Sequence, residues 1–476
     1  MDQNGSEGDM ARHLLKGLRF TPRSGVTMNR GVNMPGPRPS RRLQSIQWVA
    51  VGLVTVVIAL NYIDRSTLSV GNVVIRKEFG LSATAIGALQ SGWSLAYAFA
   101  QIPVGFMLDR LGPRYLVGGA LILWSIAQAA GGFALSYTQL LWSRIALGVT
   151  ESPAYPAGVR VTSDWFHVRD RGTPTGLYNS GGGIGPAIAP PLLTALMLTF
   201  GWRTMFVTMG MVGLLGSIVW FALYRNPHST ILAAEDDAYL ADNRAAATPV
   251  KAAQWAKLFG FRTSWAMIVL AFCTGYAIWM YQTWIPAYLE MQQHVSIART
   301  GILASIPLVC AIIGSLVGGW FSDRLCSWGV NLVASRKLPC VGGLLACGLF
   351  TGLTIKATNA TEAVVLMSFA QFFLSFGVAG KWALTTATAP QSYCTSIAGL
   401  MNFGGYLGGT VSPVVTGYVV DTTGSFVGAF AIGAVMSIIG ALALYVMLKT
   451  PISSADLAIE TVDHVPDGPA LGDVRT

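Results

Sequence analysis

Residues 105–114 read GFMLDRLGPR and residues 318–325 read GGWFSDRL, so the pair Asp109 and Arg110 returns as Asp323 and Arg324 after 214 residues. Each short polar block lies between two long apolar runs. A charged turn recurring at matching places in the two parts of a hydrophobic chain points to internal duplication of a helical membrane domain. Moving outward, apolar stretches of roughly 20 residues, enough to cross a hydrocarbon layer about 30 Å thick, recur twelve times. They cover approximately 46–75, 84–108, 115–135, 138–160, 174–200, 203–224, 264–288, 300–322, 338–357, 363–389, 393–420 and 425–449. The expected fold is an all-α membrane protein of twelve transmembrane helices in two six-helix pseudo-symmetric bundles, 44–225 and 264–450. A basic tail (1–43), a solvated linker (226–263) and a second tail (451–476) complete the chain.

Composition agrees: 53% of the 476 residues are hydrophobic and 11% are charged, against about 25% charged in a soluble domain. The formal charge of +9 raises nucleic-acid binding, but the basic residues fall in loops and tails. With the N-terminus inside, thirteen Lys or Arg lie in cytoplasmic loops and five in outer loops, before the basic tail is added. The positive-inside rule then places both termini in the cytoplasm and the chain in the cytoplasmic membrane, without nucleic acid as a partner. The six cysteines, all in the second half, form no CxxC pair and read as small core residues. Met28 and Met34 are alternative starts within the tail.

Of 22 acidic residues only Asp64 and Glu151 lie well inside a span, and no histidine does. An ionisable group at membrane depth is costly unless paired or hydrated, and so marks function by default. The fourth span carries WSRIALGVTESPAYP, in which Arg144 and Glu151 are seven residues apart and fall within about 20° of each other around a helix. The first span carries LNYIDRSTLSV: Asn61 and Arg65 share a face, while Asp64 points about 100° from Arg65. Both Asp64 and Arg144 fall in the outer half of the membrane, where a pairing between them is feasible. Coupling to a proton and a static buried ion pair are the two readings of these carboxylates. Lys381, next to Trp382, lies in the otherwise apolar tenth span, where it either faces an anion or snorkels towards the membrane surface. Asn402 and Tyr406, one turn apart in the eleventh span, together with Tyr62 and Asn179, offer hydrogen bonds to hydroxyls or serve as helix-to-helix contacts. Gly181, Gly182, Gly183 and Gly185 before Pro186 lack the GK[ST] of a phosphate loop and read as close packing or a kink. No metal-ligand cluster, cofactor motif or nucleophile with a nearby base is visible, so an enzyme is not expected.

GFMLDRLGPR resembles the loop motif G-x-x-x-D-R-x-G-x-R between helices two and three of the major facilitator superfamily, with Gly105, Asp109, Arg110, Gly112 and Arg114 filling it. Gly319, Asp323 and Arg324 form a degenerate second copy. Within the superfamily, NYIDRSTLSV together with RIALGVTESPAYPAG resembles the anion:cation symporters, especially bacterial sugar-acid transporters. The resemblance implies proton coupling through Asp64 and Glu151, and anion handling by Arg65 and Arg144. It also implies substrate contacts from Trp382 and Asn402, and conformational gating by the two loop motifs.

The expected activity is proton-coupled import of an organic anion, most simply a sugar acid of the hexonate or hexuronate class, by a monomer. The alternatives are a dicarboxylate or aromatic-acid importer, a non-transporting sensor built on the same fold, and a drug-efflux antiporter. Counting Lys381 with Arg65 and Arg144 against Asp64 and Glu151 gives the site a charge of +1, which one monoanion would balance.

Overall fold

The computed structural model describes residues 39–167, 170–227, 236, 239–240, 258–388, 394–450 and 452; the side chains of Asp109, Thr386 and residues 394–396 lie outside that description. Among the described residues eleven helices follow one another: α1 Arg41–Phe79, α2 Ala83–Gly132, α3 Tyr137–Glu151, α4 Ala154–Trp165, α5 Gly172–Leu223, α6 Arg262–Met291, α7 Ile297–Ser327, α8 Leu332–Thr354, α9 Ala360–Thr388, α10 Cys394–Thr423 and α11 Val427–Met447. Two of them are each a pair of spans. α2 is broken at Gly112 (φ 70°) and α5 at Gly201 (φ 83°), backbone conformations that a side chain disfavours. Conversely α3 and α4 make one span, interrupted at Ser152 and Pro153. Twelve crossings result, as the sequence predicts.

Eight helical stretches are individually long and apolar enough to cross a membrane. The count is below twelve for physical reasons. The fourth span is split into pieces of 15 and 12 residues, and α5 is one stretch holding two spans. The first part of α2 and all of α10 are diluted by small and polar residues. These last two segments pack against each other, and small residues are what allow helices to approach closely inside a membrane.

Helix ends follow their capping residues. The side chains of Ser40, Ser82 and Asn331 accept from the amides of Leu43 (3.1 Å), Ala85 (3.1 Å) and Ala334 (2.7 Å), and Gly80 closes α1 in the left-handed conformation at φ 64°. α1 packs on α5 and α2 on α3 in the first half; α6 packs on α10 and α9 on both α7 and α8 in the second. The halves meet through α2 with α10, α5 with α7 and α1 with α6, an arrangement in which the first two contacts are related by the duplication. The glycines of the 181–185 run serve close packing: a Cβ on Gly181 would stand 2.5 Å from the carbonyl oxygen of Thr55, and one on Gly185 would stand 2.6 Å from that of Ala59. No non-helical residue occurs at Pro186; the break in α5 is at Gly201.

Three boundaries need correction. α1 begins at Arg41, inside the expected tail, because Ser40 supplies its cap. The linker is not uniformly solvated: Asp236, Tyr239 and Leu240 are buried, with Asp236 accepting from the Ser40 amide (2.9 Å) and hydroxyl (2.7 Å) and Tyr239 donating to Asp170 (2.8 Å). Ile452 in the expected second tail is buried and its amide donates to the Thr388 carbonyl at 2.8 Å. Residues 1–38 and 453–476 lie outside the described part of the chain. Below, the terminal end is the end of the bundle at which α1 starts and α11 finishes; the other is the far end.

Candidate functional site

α1 projects Asn61, Asp64 and Arg65 into the protein interior, all at most 3% exposed. α3 ends on Glu151 because Pro153 cannot continue its hydrogen-bond ladder, and the last residue of that helix is fully buried. Glu151 Oε2 there accepts from Arg65 Nε at 3.2 Å and from Trp93 Nε1 at 3.0 Å. Arg65 is thus paired with Glu151 rather than with its neighbour Asp64, in keeping with the angle between the two side chains on the helix. Its guanidinium carbon lies 4.2 Å from the ring of Trp93, 4.6 Å from Tyr62, 4.9 Å from Tyr97 and 6.0 Å from Trp279. Both Nη atoms are buried without a partner. Aromatic rings pack around the cation while the outer fork of the guanidinium stays free, the geometry that suits bidentate recognition of a carboxylate.

Arg144 is 1% exposed, and none of its three guanidinium nitrogens has a hydrogen-bond partner. One expectation changes here. The feasible Asp64 to Arg144 pairing is not made, since Asp64 Oδ1 is likewise unpartnered. Arg144 and Glu151 share a face, but seven residues along a helix separate them by about 10 Å, so Glu151 finds Arg65 across the helix interface instead. The outcome is a buried cluster of two carboxylates and two guanidiniums, with Asn61, the Tyr97 hydroxyl and Glu151 Oε1 also unpartnered. Buried polar atoms are normally satisfied, so a concentration of unpartnered ones with two cations among them describes a ligand site.

Lys381 does not belong to this cluster. It is 8% exposed, donates to Thr274 Oγ1 at 3.3 Å and sits 5.3 Å from the Trp382 ring. Thr274 is five residues before Trp279 on α6, about 140° around the helix, so Lys381 lies among second-half helices and not beside Arg65. The charge of the cluster is therefore 0, not +1. Trp382 is 45% exposed, and Asn402 and Asn179 are exposed as well, with Asn179 donating to the Thr175 carbonyl at 2.8 Å. The Tyr406 ring packs against Tyr97 with centroids 4.7 Å apart and planes tilted by 36°. These residues stand on α9, α10 and α5 towards the terminal end from the aromatic cluster.

Sequence reasoning missed Trp93, Tyr97 and Trp279. The signal was present: Trp93 and Tyr97 are an aromatic pair four residues apart in a run otherwise of small residues, which places two large rings on one helix face.

The loop motifs hold each half together. Gly112 makes room for Asn226, whose side chain accepts from the Arg114 amide (3.3 Å), while Arg114 donates to the Phe221 carbonyl (3.1 Å) and accepts from Trp220 through its own carbonyl (3.0 Å). Arg110 lies 4.3 Å from the Phe106 ring and Arg324 5.6 Å from that of Trp328. Asp323 pairs with Arg336 of α8 at 2.5 Å. Among the described residues, and beyond each glycine's own stretch of helix, no atom lies within 4 Å of a Cβ placed on Gly105 or Gly319. The Asp109 side chain is outside the described residues. Among the described residues no three His, Cys, Asp or Glu side chains converge as metal ligands would.

Comparison with known proteins decides the family. The sequence profile of the Major Facilitator Superfamily matches residues 54–413 and 294–467. The chain belongs to that superfamily. Over 443 residues this major facilitator protein is 37% identical to a probable L-galactonate transporter of Escherichia coli K12, covering 92% of this chain and 98% of that one. A probable galactarate/D-glucarate transporter of the same organism is 32% identical over 79% of this chain and 88% of its own. A crystal structure of a bacterial homologue of the human lysosomal transporter Spinster, inward-facing and occupied, superposes with a TM-score of 0.70 at 19% identity, over 87% of this chain and all of that one. The protein is therefore a multi-pass membrane transporter of this superfamily and not an enzyme, and it resembles the sugar-acid transporters.

Proposed function

We propose that this protein is a proton-coupled symporter that imports a hydroxylated monocarboxylate, a sugar acid of the hexonate or hexuronate class, by alternating access. The observation that carries the reading is the wholly unpartnered guanidinium of Arg144 together with the two unpartnered Nη atoms of Arg65, buried beside two carboxylates. A neutral cluster that receives a monoanion becomes net negative in a low-dielectric site; one proton on Glu151 or Asp64 restores neutrality. Cargo and proton then depend on each other for electrostatic reasons. Asn61, Tyr62, Asn179, Asn402 and Tyr406 supply hydrogen bonds for a polyol chain, with Trp382 beside them. The similarity to a probable L-galactonate transporter supports the monoacid over the diacid.

The distribution of basic residues supports an orientation with the terminal end in the cytoplasm and the far end outside. In that orientation the halves are joined at the outer end, where Ser69 of α1 donates to the carbonyls of Gln282 and Thr283 on α6 at 2.8 Å, while Asn179, Trp382 and Asn402 are reachable from the cytoplasmic side. This arrangement supports reading the structure as an inward-facing state. The loop motifs, of which Arg114 and Asp323 here bind within their own halves, would latch the cytoplasmic end in the opposite state.

The test is uptake into proteoliposomes under an imposed pH gradient, with and without sodium, after a thermal-shift screen of sugar acids, diacids and aromatic acids. Accumulation driven by the proton gradient and indifferent to sodium is expected. Sodium dependence without proton movement ends the coupling proposal, and failure of every carboxylate to stabilise the protein ends the anion proposal.

A further inference from the structure

At the outer end, the side chain of Asp421 on α10 reaches across the boundary between the halves to the first turn of α2. One carboxylate oxygen accepts from the Ala83 amide at 2.7 Å; the other accepts from the Thr84 amide at 2.7 Å and the Thr84 hydroxyl at 2.6 Å. Arg76 at the end of α1 stands 3.8 Å from it. The first amides of a helix have no intrahelical partner and carry its positive pole. On α2 the third of them is capped locally by Ser82, and the first two are capped by a residue of the other half, more than 300 positions away.

The contact is the outer end of a seam. α2 and α10 run antiparallel, and their contacts step inward at nearly constant register: Gly417 against Ala83, Gly87 against Pro413, Ser91 donating to the Thr410 carbonyl at 2.5 Å, Ser94 donating to the Tyr406 carbonyl at 3.3 Å, and the Tyr97 ring against that of Tyr406. A Cβ on Gly417 would lie 2.5 Å from the Ala83 carbonyl oxygen, and one on Gly87 would lie 2.3 Å from that of Pro413, so the closed seam admits no side chain at either place. Its inner end is the ring that touches Arg65. Both amide atoms of Asn72 and the hydroxyls of Thr283 and Thr300 are buried here without partners, groups that opening of this end would let water satisfy. Closure thus carries a desolvation cost that some contact at this end offsets.

We infer that Asp421 is the latch of the outer gate: its carboxylate holds the inward-facing state by capping α2 across the halves, and it releases that helix end to water when the transporter faces outward. The inference rests on the alternating-access part of the proposed function, but not on cargo or coupling ion.

The experiment reads gate opening directly. Ser69→Cys places a thiol where the closed gate shields it, and a membrane-impermeant maleimide is applied from outside to right-side-out vesicles without substrate or gradient; the same chain without Ser69→Cys gives the background of the native cysteines. Adding Asp421→Ala is expected to raise the labelling rate about tenfold, equivalent to ~1.4 kcal/mol in the closed-to-open equilibrium. Asp421→Asn should fall between, because its amide accepts through one oxygen and carries no charge, and Thr84→Val should give a smaller rise. Labelling rates within twofold of each other in folded variants, with or without a lower melting temperature, would reduce Asp421 to a helix cap and overturn the inference. If Asp421→Ala fails to fold, the order of Asp421→Asn and Thr84→Val decides. Because no cargo is present, failure here leaves the anion reading standing, and an anion screen that finds no ligand leaves the labelling result standing.

Discussion

Replacing Glu151 by Gln removes one negative charge from the cluster while keeping an oxygen that accepts from Arg65 Nε and Trp93 Nε1. In the native protein Glu151 stands 3.2 Å from Arg65 Nε, and an anion seated on the free Nη edge of the same guanidinium would lie roughly 6 Å from it. Two unit charges at roughly 6 Å and an effective dielectric constant of about 20 repel by about 3 kcal/mol, or about a hundredfold in Kd. Native affinity for the anion should therefore weaken as pH rises, since the ionised form of Glu151 opposes binding and the protonated form does not. Glu151→Gln should hold the high-affinity value across the range, binding about a hundredfold tighter than the native protein at alkaline pH. The same variant should exchange substrate across a membrane but fail to accumulate it uphill. Isothermal titration between pH 6 and 9, paired with counterflow and gradient-driven uptake, measures both. If Glu151→Gln keeps the native pH dependence of Kd, Glu151 is not the carboxylate that competes with the cargo and the electrostatic account of coupling fails.

Two further outcomes follow from the geometry. Lys381→Met should leave the affinity for a monoacid within about threefold, because Lys381 serves Thr274 rather than the cluster; a loss of tenfold or more would return it to the binding site. Gly275→Ala would put a Cβ 2.2 Å from the Gly405 carbonyl oxygen, so α6 and α10 must separate, with a cost of about 1–3 kcal/mol read as a lower melting temperature and no change in the pH dependence of binding.

The spans were legible because hydrophobic runs of membrane length announce themselves, and the duplicated turn showed that they form two related sets. The breaks at Gly112 and Gly201 were legible too, since both fall in the gaps between expected spans; the interruption of the fourth span at Ser152 and Pro153 was not, and Pro186 looks like a kink but is absorbed by a continuous helix. The charged members of the site were equally legible, since Asp64, Arg65, Arg144 and Glu151 are conspicuous in apolar surroundings. Their partners were not, because helical spacing orders residues along one helix and says little about which faces meet. Hence Arg65 takes Glu151, Arg144 stays unpartnered, and the rings of Trp93 and Trp279 come to Arg65 from other helices. Lys381 misled for the converse reason: a lone lysine in a span is visible, but which side of its helix borders the cavity is set by packing against α6. The buried linker residues, likewise, carry no apolar run that would have set them apart.

All four charges of the cluster are carried by α1 and α3, within the first half of the chain, whereas the second half brings only uncharged groups to the site: the ring of Trp279, the Tyr406 phenol, Trp382 and the Asn402 amide. On the proposed function, the motor and the selector are written in separate copies of the duplicated unit. Drift in the second copy could then trade one polyhydroxy acid for another without touching the groups proposed to couple the cycle to its energy source, which would give an old duplication a route to new nutrients that leaves its power supply intact.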